Sequence, residues 1–139
     1  VSKLYTRQFY GALMERLSAQ GVVVTQAGSP LFARSAFWSV AGTLKAARNP
    51  YRPGEGLQVL PYHAYVPSFG DWGFVLATPQ ALRPRELTLP AGLKFLNAAV
   101  WQAAQVFGDD TGPVDVAINS LQSHALAGYY QDGWDQWFE

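Results

Sequence analysis

The sequence has no cysteine, which excludes disulfides and thiolate metal sites. Charge is scarce: Asp, Glu, Lys and Arg make up 14% of its 139 residues, against roughly 25% in an average soluble domain. Ten basic and ten acidic residues cancel to a formal net charge of zero. No basic run occurs among them, so a nucleic-acid footprint is not expected. No apolar run approaches the roughly 18 residues needed to cross a bilayer, and no signal peptide opens the chain. There is no G-x-G-x-x-G loop for a nucleotide and no G-x-S-x-G elbow for an acyl-transfer serine. The two histidines, His63 and His124, lie too far apart to form a local metal motif. No bound metal is expected.

Hydrophobic residues are plentiful at 49%, with 5 Trp, 7 Tyr and 8 Phe. So much apolar surface with so little charge suggests a face that is normally covered, by a second copy or by the rest of a larger protein. The length fits one domain. Val1 leads almost directly into a helical pattern, so the chain reads as one incomplete domain over residues 1–139, cut from something longer.

From Leu4 to Leu17, Tyr10, Leu13, Met14 and Leu17 follow the spacing of one buried helical face, and Gly21 is expected to end it. Val22 to Thr25 is a short β-branched strand, and an unbroken apolar run of this kind is expected to be covered on both faces. Ser29-Pro30 reads as a helix cap and first turn. The helix it starts carries Phe37, Val40, Ala41 and Leu44 on one face and runs to about Arg48. Asn49 to Gly56 is a Pro- and Gly-rich loop. Val59–Val66 and Gly73–Thr78, joined by a turn at Pro67–Gly70, form a hairpin. Residues 79–139 are expected to be a linker, Pro79–Pro90, followed by a helical tail. That tail holds a helix marked by Leu93, Leu96, Val100 and Phe107, a loop over Gly108–Pro113, a short strand Val114–Ile118, and a final helix over Ser123–Trp137 broken near Gly128 and Gly133. Alternating strands and helices predict an α/β fold with a mostly parallel sheet and an antiparallel hairpin strand at its edge.

Two places could carry chemistry. Leu60–Gly73 crowds Tyr62, His63, Tyr65, Phe69, Asp71 and Trp72 around a turn. Aromatic faces beside a carboxylate suit an organic cation, although on composition alone a hairpin that simply fills a core is the plainer reading. Gln26 sits at the C-terminal end of the first strand, where open α/β sheets bind ligands. Asp109-Asp110 reads as a solvated acidic loop.

Three ordered stretches resemble the polyamine aminopropyltransferase (spermidine synthase) family. Leu4–Tyr10, Leu-Tyr-Thr-Arg-Gln-Phe-Tyr, is similar to the family's L-Y-S/T-x-x-F-Y helix. Val23–Pro30 is similar to its strand and loop ending in Gln, small residues and Ser, and Phe37-Trp38 through Thr43-Leu44 continue that match. Tyr65–Phe74 resembles its P-T-Y-P-x-G-x-x-G-F hairpin, two residues shorter, with Phe for Tyr and Gly for Pro. This variant, with Asn119–Tyr130, looks like a bacterial branch whose longer members carry transmembrane helices ahead of the enzyme domain. The resemblance covers roughly residues 3 to 130.

The resemblance implies the C-terminal portion of a Rossmann-like (class I methyltransferase-like) sheet, with the antiparallel edge hairpin and the helical tail. It implies a parent that transfers an aminopropyl group from decarboxylated S-adenosylmethionine to putrescine or a related amine. The family's cofactor loop, ribose-binding acid and catalytic Asp all lie upstream of the L-Y-S/T-x-x-F-Y helix, so this chain is expected to supply no catalytic residue. It is expected instead to give part of the amine pocket: Gln26, Tyr62, His63, Tyr65, Asp71 and Trp72. A pocket Tyr of the family falls at His63, and that departure puts the identity of the amine in question. Two other readings stand beside this one: a non-catalytic oligomerisation or binding module on the same fold, and an S-adenosylmethionine-dependent methyltransferase. The expected location is cytoplasmic, with a membrane tether in the parent left open. A strand edge left unpaired by the missing neighbour is expected to give a homodimer or a larger assembly.

Overall fold

A computed structural model describes residues 2–83 and 87–138. Val1, at the expected boundary, and residues 84–86, inside the expected linker, lie outside the described residues. After a single 3-10 turn at Ser2–Tyr5 come α1 (Arg7–Arg16), β1 (Val23–Gly28), α2 (Arg34–Ala46), β2 (Gln58–Val66), β3 (Gly70–Thr78), α3 (Ala98–Ala104) and α4 (Ala125–Phe138).

The first helix begins where Thr6 turns the chain. Its hydroxyl accepts from Phe9 N (3.1 Å) and donates to Lys3 O (3.1 Å), so one fully buried side chain ends the 3-10 turn and caps α1. Tyr10 and Met14, one turn apart, carry the buried face. The helix stops at Arg16, short of Gly21, with Leu17 N bonded back to Met14 O. Ser29 does not cap the helix as expected: its hydroxyl accepts from Leu31 N and Phe32 N (both 3.2 Å) within a separate turn, and the N-cap of α2 is Ala33. The turn it holds precedes α2, which starts only at Arg34.

The sheet departs from the expected parallel one. Its order is β1-β3-β2, and both pairings are antiparallel. The hairpin forms as expected, but β3 enters the middle and leaves β2, not β3, at the edge. Because both β1 and β2 run antiparallel to β3, they are parallel to each other, joined through α2 and separated by the inserted strand. Among the described residues the outer edge of β1 has no strand beside it.

Pleating sorts the sheet into two unequal faces. Val75 and Ala77 point to one face and are buried with Phe37, Val40 and Leu44 of α2. Gly73 lies on that face too. A Cβ there would run into the Phe37 ring and come within 2.8 Å of Gly28 O, so glycine is what lets α2 sit this close. Phe74, Leu76 and Val24 point the other way. Val24 stays 50% exposed, so β1 is covered on one face, and the expected double covering is not found.

The expected strand at Val114–Ile118 does not form. Ala117 within it, and the loop before it, are bonded by side chains instead. Along α2, Arg34 donates to Gly112 O (2.7 Å) and Asp109 O (3.0 Å), Trp38 Nε1 to Thr111 O (2.8 Å), and Ser39 to Ala117 O (2.7 Å). The Tyr129 hydroxyl accepts from Ala117 N (2.8 Å). A segment held this way has no free ladder to offer a strand. The third helix is shorter than expected because Asn97 caps it, accepting from Val100 N (2.9 Å), which leaves Leu93 and Leu96 before it and Phe107 beyond it. The last helix is continuous, not broken. Gly133 sits where a Cβ would meet Phe32 O at 2.9 Å and Ala33 Cα at 3.1 Å, so it allows close packing of α4 instead of ending the helix.

Asn119, fully buried, ties these parts together. Its backbone N–H donates to the Thr43 hydroxyl (2.9 Å) and its backbone carbonyl accepts from Arg7 N (3.0 Å). Its side chain donates to Tyr5 O (3.0 Å) and accepts from Leu126 N (3.1 Å). Replacing it with Ala leaves the last two groups without their partner. The expected cost is about 2–4 kcal/mol, from the penalty for orphaned buried polar groups. Urea unfolding of the Asn119→Ala chain checks this, and a loss within 0.5 kcal/mol, roughly the scatter of a neutral surface change, would show that the amide is not needed.

Candidate functional site

A cavity of about 670 Å³ opens at the C-terminal end of β1. Gln26 and Ser29 enter it from the strand end and the turn after it, and Phe32 from the approach to α2. Phe69 and Trp72 enter from the hairpin, with ring centroids 5.2 Å apart. The turn that carries Phe69 is closed by Phe69 N to Val66 O (3.0 Å), and Ser68 in it takes a positive φ of 72°. Tyr130 and Trp134, one turn apart on α4, form the far wall. Tyr5 joins them from the N-terminal turn, which Asn119 holds.

No residue lining this cavity is charged. Its polarity comes from one carboxamide, two serines and two phenols. Tyr130 lies so close to β1 that a Cβ on Gly28 would meet its ring at 3.0 Å. Burial, with Tyr5 adding to it, pushes the Tyr130 hydroxyl up to about 12, so it keeps its proton throughout the neutral range. Behind it, burial pushes Tyr10 higher still, with Tyr5 and Tyr130 contributing and Thr25 opposing. Thr25 is close enough to act on Tyr10, yet the Tyr10 hydroxyl makes no hydrogen bond of standard geometry. The arrangement can take a partly dehydrated organic group against aromatic faces and orient it by neutral hydrogen bonds. It cannot itself neutralise a charge or accept a proton as a carboxylate would. Among the described residues no group of three or more His, Cys, Asp or Glu is placed to hold a metal.

The six expected site residues separate. Gln26 and Trp72 line the cavity. Tyr62 points from β2 to the open face of the sheet, stacked on Phe74 (5.4 Å) and edge-on to Trp101 of α3 (5.2 Å); burial raises its hydroxyl. Tyr65 is 74% exposed. His63 and Asp71 form a pair of their own, Nδ1 to Oδ1 2.7 Å, and His63 Nε2 lies 2.6 Å from Val106 O. The imidazole also stacks on Phe107 at 4.5 Å. Both ring nitrogens face acceptors, and the ring can donate to both only when doubly protonated. The pair fastens the segment after α3 to the hairpin.

Phe32, Tyr130 and Trp134 were not anticipated as site residues, and neither was Tyr5. A signal for two of them was present: Tyr130 and Trp134 stand four apart, on one helical face. It was hidden by reading Gly128 and Gly133 as breaks.

No family model matches the chain. Curated relatives do. A polyamine aminopropyltransferase of Leptospira interrogans is 39% identical over 136 residues, covering 98% of this chain and 26% of that protein. One from Mycobacterium tuberculosis is 36% identical over 138 residues, 97% of this chain and 25% of its own length. Polyamine aminopropyltransferase 1 of Streptomyces coelicolor is 39% identical over 136 residues, 96% of this chain and 24% of the relative. Similarity at this level along nearly the whole chain shows its family. The chain belongs to the polyamine aminopropyltransferase (spermidine synthase) family, as a match to its C-terminal part. It spans about a quarter of the length of the curated relatives it matches.

The His63–Asp71 pair generates a prediction independent of any ligand. In a His63→Ala chain, the amides around Val106 and Phe107 are expected to exchange hydrogen faster, with a local loss of about 1–2 kcal/mol, the size of a hydrogen bond or two. Exchange at α4 should stay as it was. Unchanged protection at 105–108 would mean that other contacts hold this segment.

Proposed function

We propose that this chain is the C-terminal part of an enzyme that moves an aminopropyl group from decarboxylated S-adenosylmethionine to putrescine or a related amine, and that its cavity forms part of the amine pocket. The observation that carries the reading is the place and nature of the cavity. It lies at the C-terminal end of β1, it includes Gln26 and Trp72, and its walls are aromatic and uncharged. Such walls suit the alkyl chain and dehydrated ammonium of a polyamine. The family resemblance agrees in kind.

In the proposed reaction a neutral amine nitrogen attacks the carbon next to the sulfonium. The new C–N bond forms as the C–S bond breaks, its electron pair stays on sulfur as a thioether, and the proton lost from nitrogen passes to a carboxylate general base. That base belongs to a part of the parent other than this wall, which holds no carboxylate. The chain's role is to orient the acceptor, and orientation is a large share of such a rate enhancement. His63, Asp71, Tyr62 and Tyr65 remain candidates for supporting this pocket in the parent, where further segments can cover them.

The wider fold in this proposal is a Rossmann-like sheet, with residues 1–139 as one incomplete domain and 79–139 as its linker and tail. Two parallel strands joined through a helix, with an open edge on β1, support it. The location that goes with it is cytoplasmic. Among the described residues no helix is long and apolar enough to cross a membrane.

Two experiments test the reading. The full-length parent, given decarboxylated S-adenosylmethionine and a panel of di- and polyamines, is expected to yield a product heavier by one aminopropyl group. A folded parent that modifies no amine would favour the second reading, a binding or assembly module. The isolated 139-residue chain is expected to self-associate through the bare β1 edge, where Val22 and Val24 are half exposed. Light scattering at high concentration should show a dimer or larger, and a monomeric mass would count against an edge free to pair.

A further inference from the structure

The cavity extends past the strand end along α4. Tyr130 lies against Gly28 beside the end of β1, and Trp134 is one turn further along the helix, about 6 Å at the α-helical rise. Gly28, two residues on from Gln26, is the contact of Tyr130, which leaves Trp134, one turn along the helix, as the ring for a longer acceptor to reach. Six aromatic rings line the space, and no carboxylate does. A distant ammonium arriving there meets ring faces and neutral oxygens, and indole is the strongest of the ring faces.

We propose that Trp134 is a specificity-determining residue that sets the preferred length of the acceptor. It binds the distal methylenes and far ammonium of a long linear polyamine and leaves a short diamine untouched. The proposal rests on reading this cavity as the amine pocket. Three features make α4 suited to the task. Gly133 brings the helix into contact with Phe32 O and Ala33, which fixes its height above the cavity. The Trp137 ring packs edge-on against Phe32 at 5.2 Å and anchors the next turn. Asn119 receives Leu126 N and sets where the helix begins. Trp134 thus hangs from a helix fixed at its start and along its length, while its own side chain remains 51% exposed. A half-exposed indole on a fixed support has apolar area left to bury on a ligand.

The test uses the full-length parent, with 1,3-diaminopropane, putrescine and spermidine as acceptors. In Trp134→Ala, KM for spermidine is expected to rise about tenfold, equal to about 1.4 kcal/mol. KM for the two diamines is expected to rise much less than KM for spermidine, so the loss reads as a changed preference between long and short acceptors. Trp134→Phe keeps an aromatic face and is expected to recover most of the spermidine KM. An equal rise for all three amines, or a fall in kcat alone, would overturn the proposal, because it would mark a structural role. No change with any amine would overturn it too. A parent without transferase activity would refute the wider reading but still leave a binding test. Calorimetric titration with spermidine should then show binding that weakens about tenfold in Trp134→Ala. Absent or unaltered binding would end the proposal.

Discussion

One buried amide organises the cavity. Asn119 sits where the N-terminal turn, α2 and the start of α4 converge, and it bonds to all three. Two of those elements put side chains into the cavity: Tyr5 from the turn, and Tyr130 and Trp134 from α4. A residue outside the lining thereby fixes the relative position of opposite walls. Its side chain spends both polar ends on backbone groups that would otherwise be buried unpaired, so no apolar residue of similar size can replace it without orphaning them. Thr43 completes the arrangement by donating its own proton to Ser39 O (2.6 Å) while accepting from Asn119 N.

This polar fastening also explains why part of the fold was legible in the sequence and part was not. Elements driven by periodic burial were legible. The spacing of Phe37, Val40 and Leu44 marks the buried face of α2, and the hairpin formed where two β-rich runs flank a Pro-Ser-Phe-Gly turn. The strand expected at Val114–Ile118 failed for a reason that alternation cannot show. Ala117 within it is bound at both backbone groups by the Ser39 and Tyr129 side chains, 78 and 12 residues away along the chain. Sheet order was equally hidden. Hairpin pairing is local, but the insertion of β3 between β1 and β2 depends on a crossover through α2 that no short window contains.

The candidate site was half legible. Gln26 and Trp72 line the cavity, and position at a strand end and aromatic crowding, which single them out, are local properties. His63 was selected for the same crowding, yet strand alternation turns it to the α2 side, where Asp71, Val106 O and Phe107 occupy it fully. Tyr62 and His63 are neighbours in sequence and face opposite sides of the sheet, so a motif treated as one cluster divides into two environments. The opposite error hid Tyr130 and Trp134. Gly133, which serves close packing, and Gly128, which has open space beside it, both sit inside a continuous helix, and breaks expected there put two residues of one face out of register.

The absence of charge from the cavity bears on how an amine would be handled there. Polyamines in water are cations, and a nucleophilic nitrogen must first lose its proton. A carboxylate wall would favour the charged form and oppose that loss, whereas a wall of rings and neutral hydrogen-bonding groups withholds solvent and lowers the cost of the neutral form. At the far end of the acceptor the same rings act differently, since a cation that never reacts can stay charged against an indole face. One uncharged surface can therefore treat the two ends of a polyamine unequally, through distance from the strand end alone. Charge placed near Gln26 would favour protonation of the reacting end, and charge placed near Trp134 would hold the far end regardless of chain length. In the proposed function, a wall of this kind would discriminate by length and leave proton transfer to a carboxylate elsewhere in the parent.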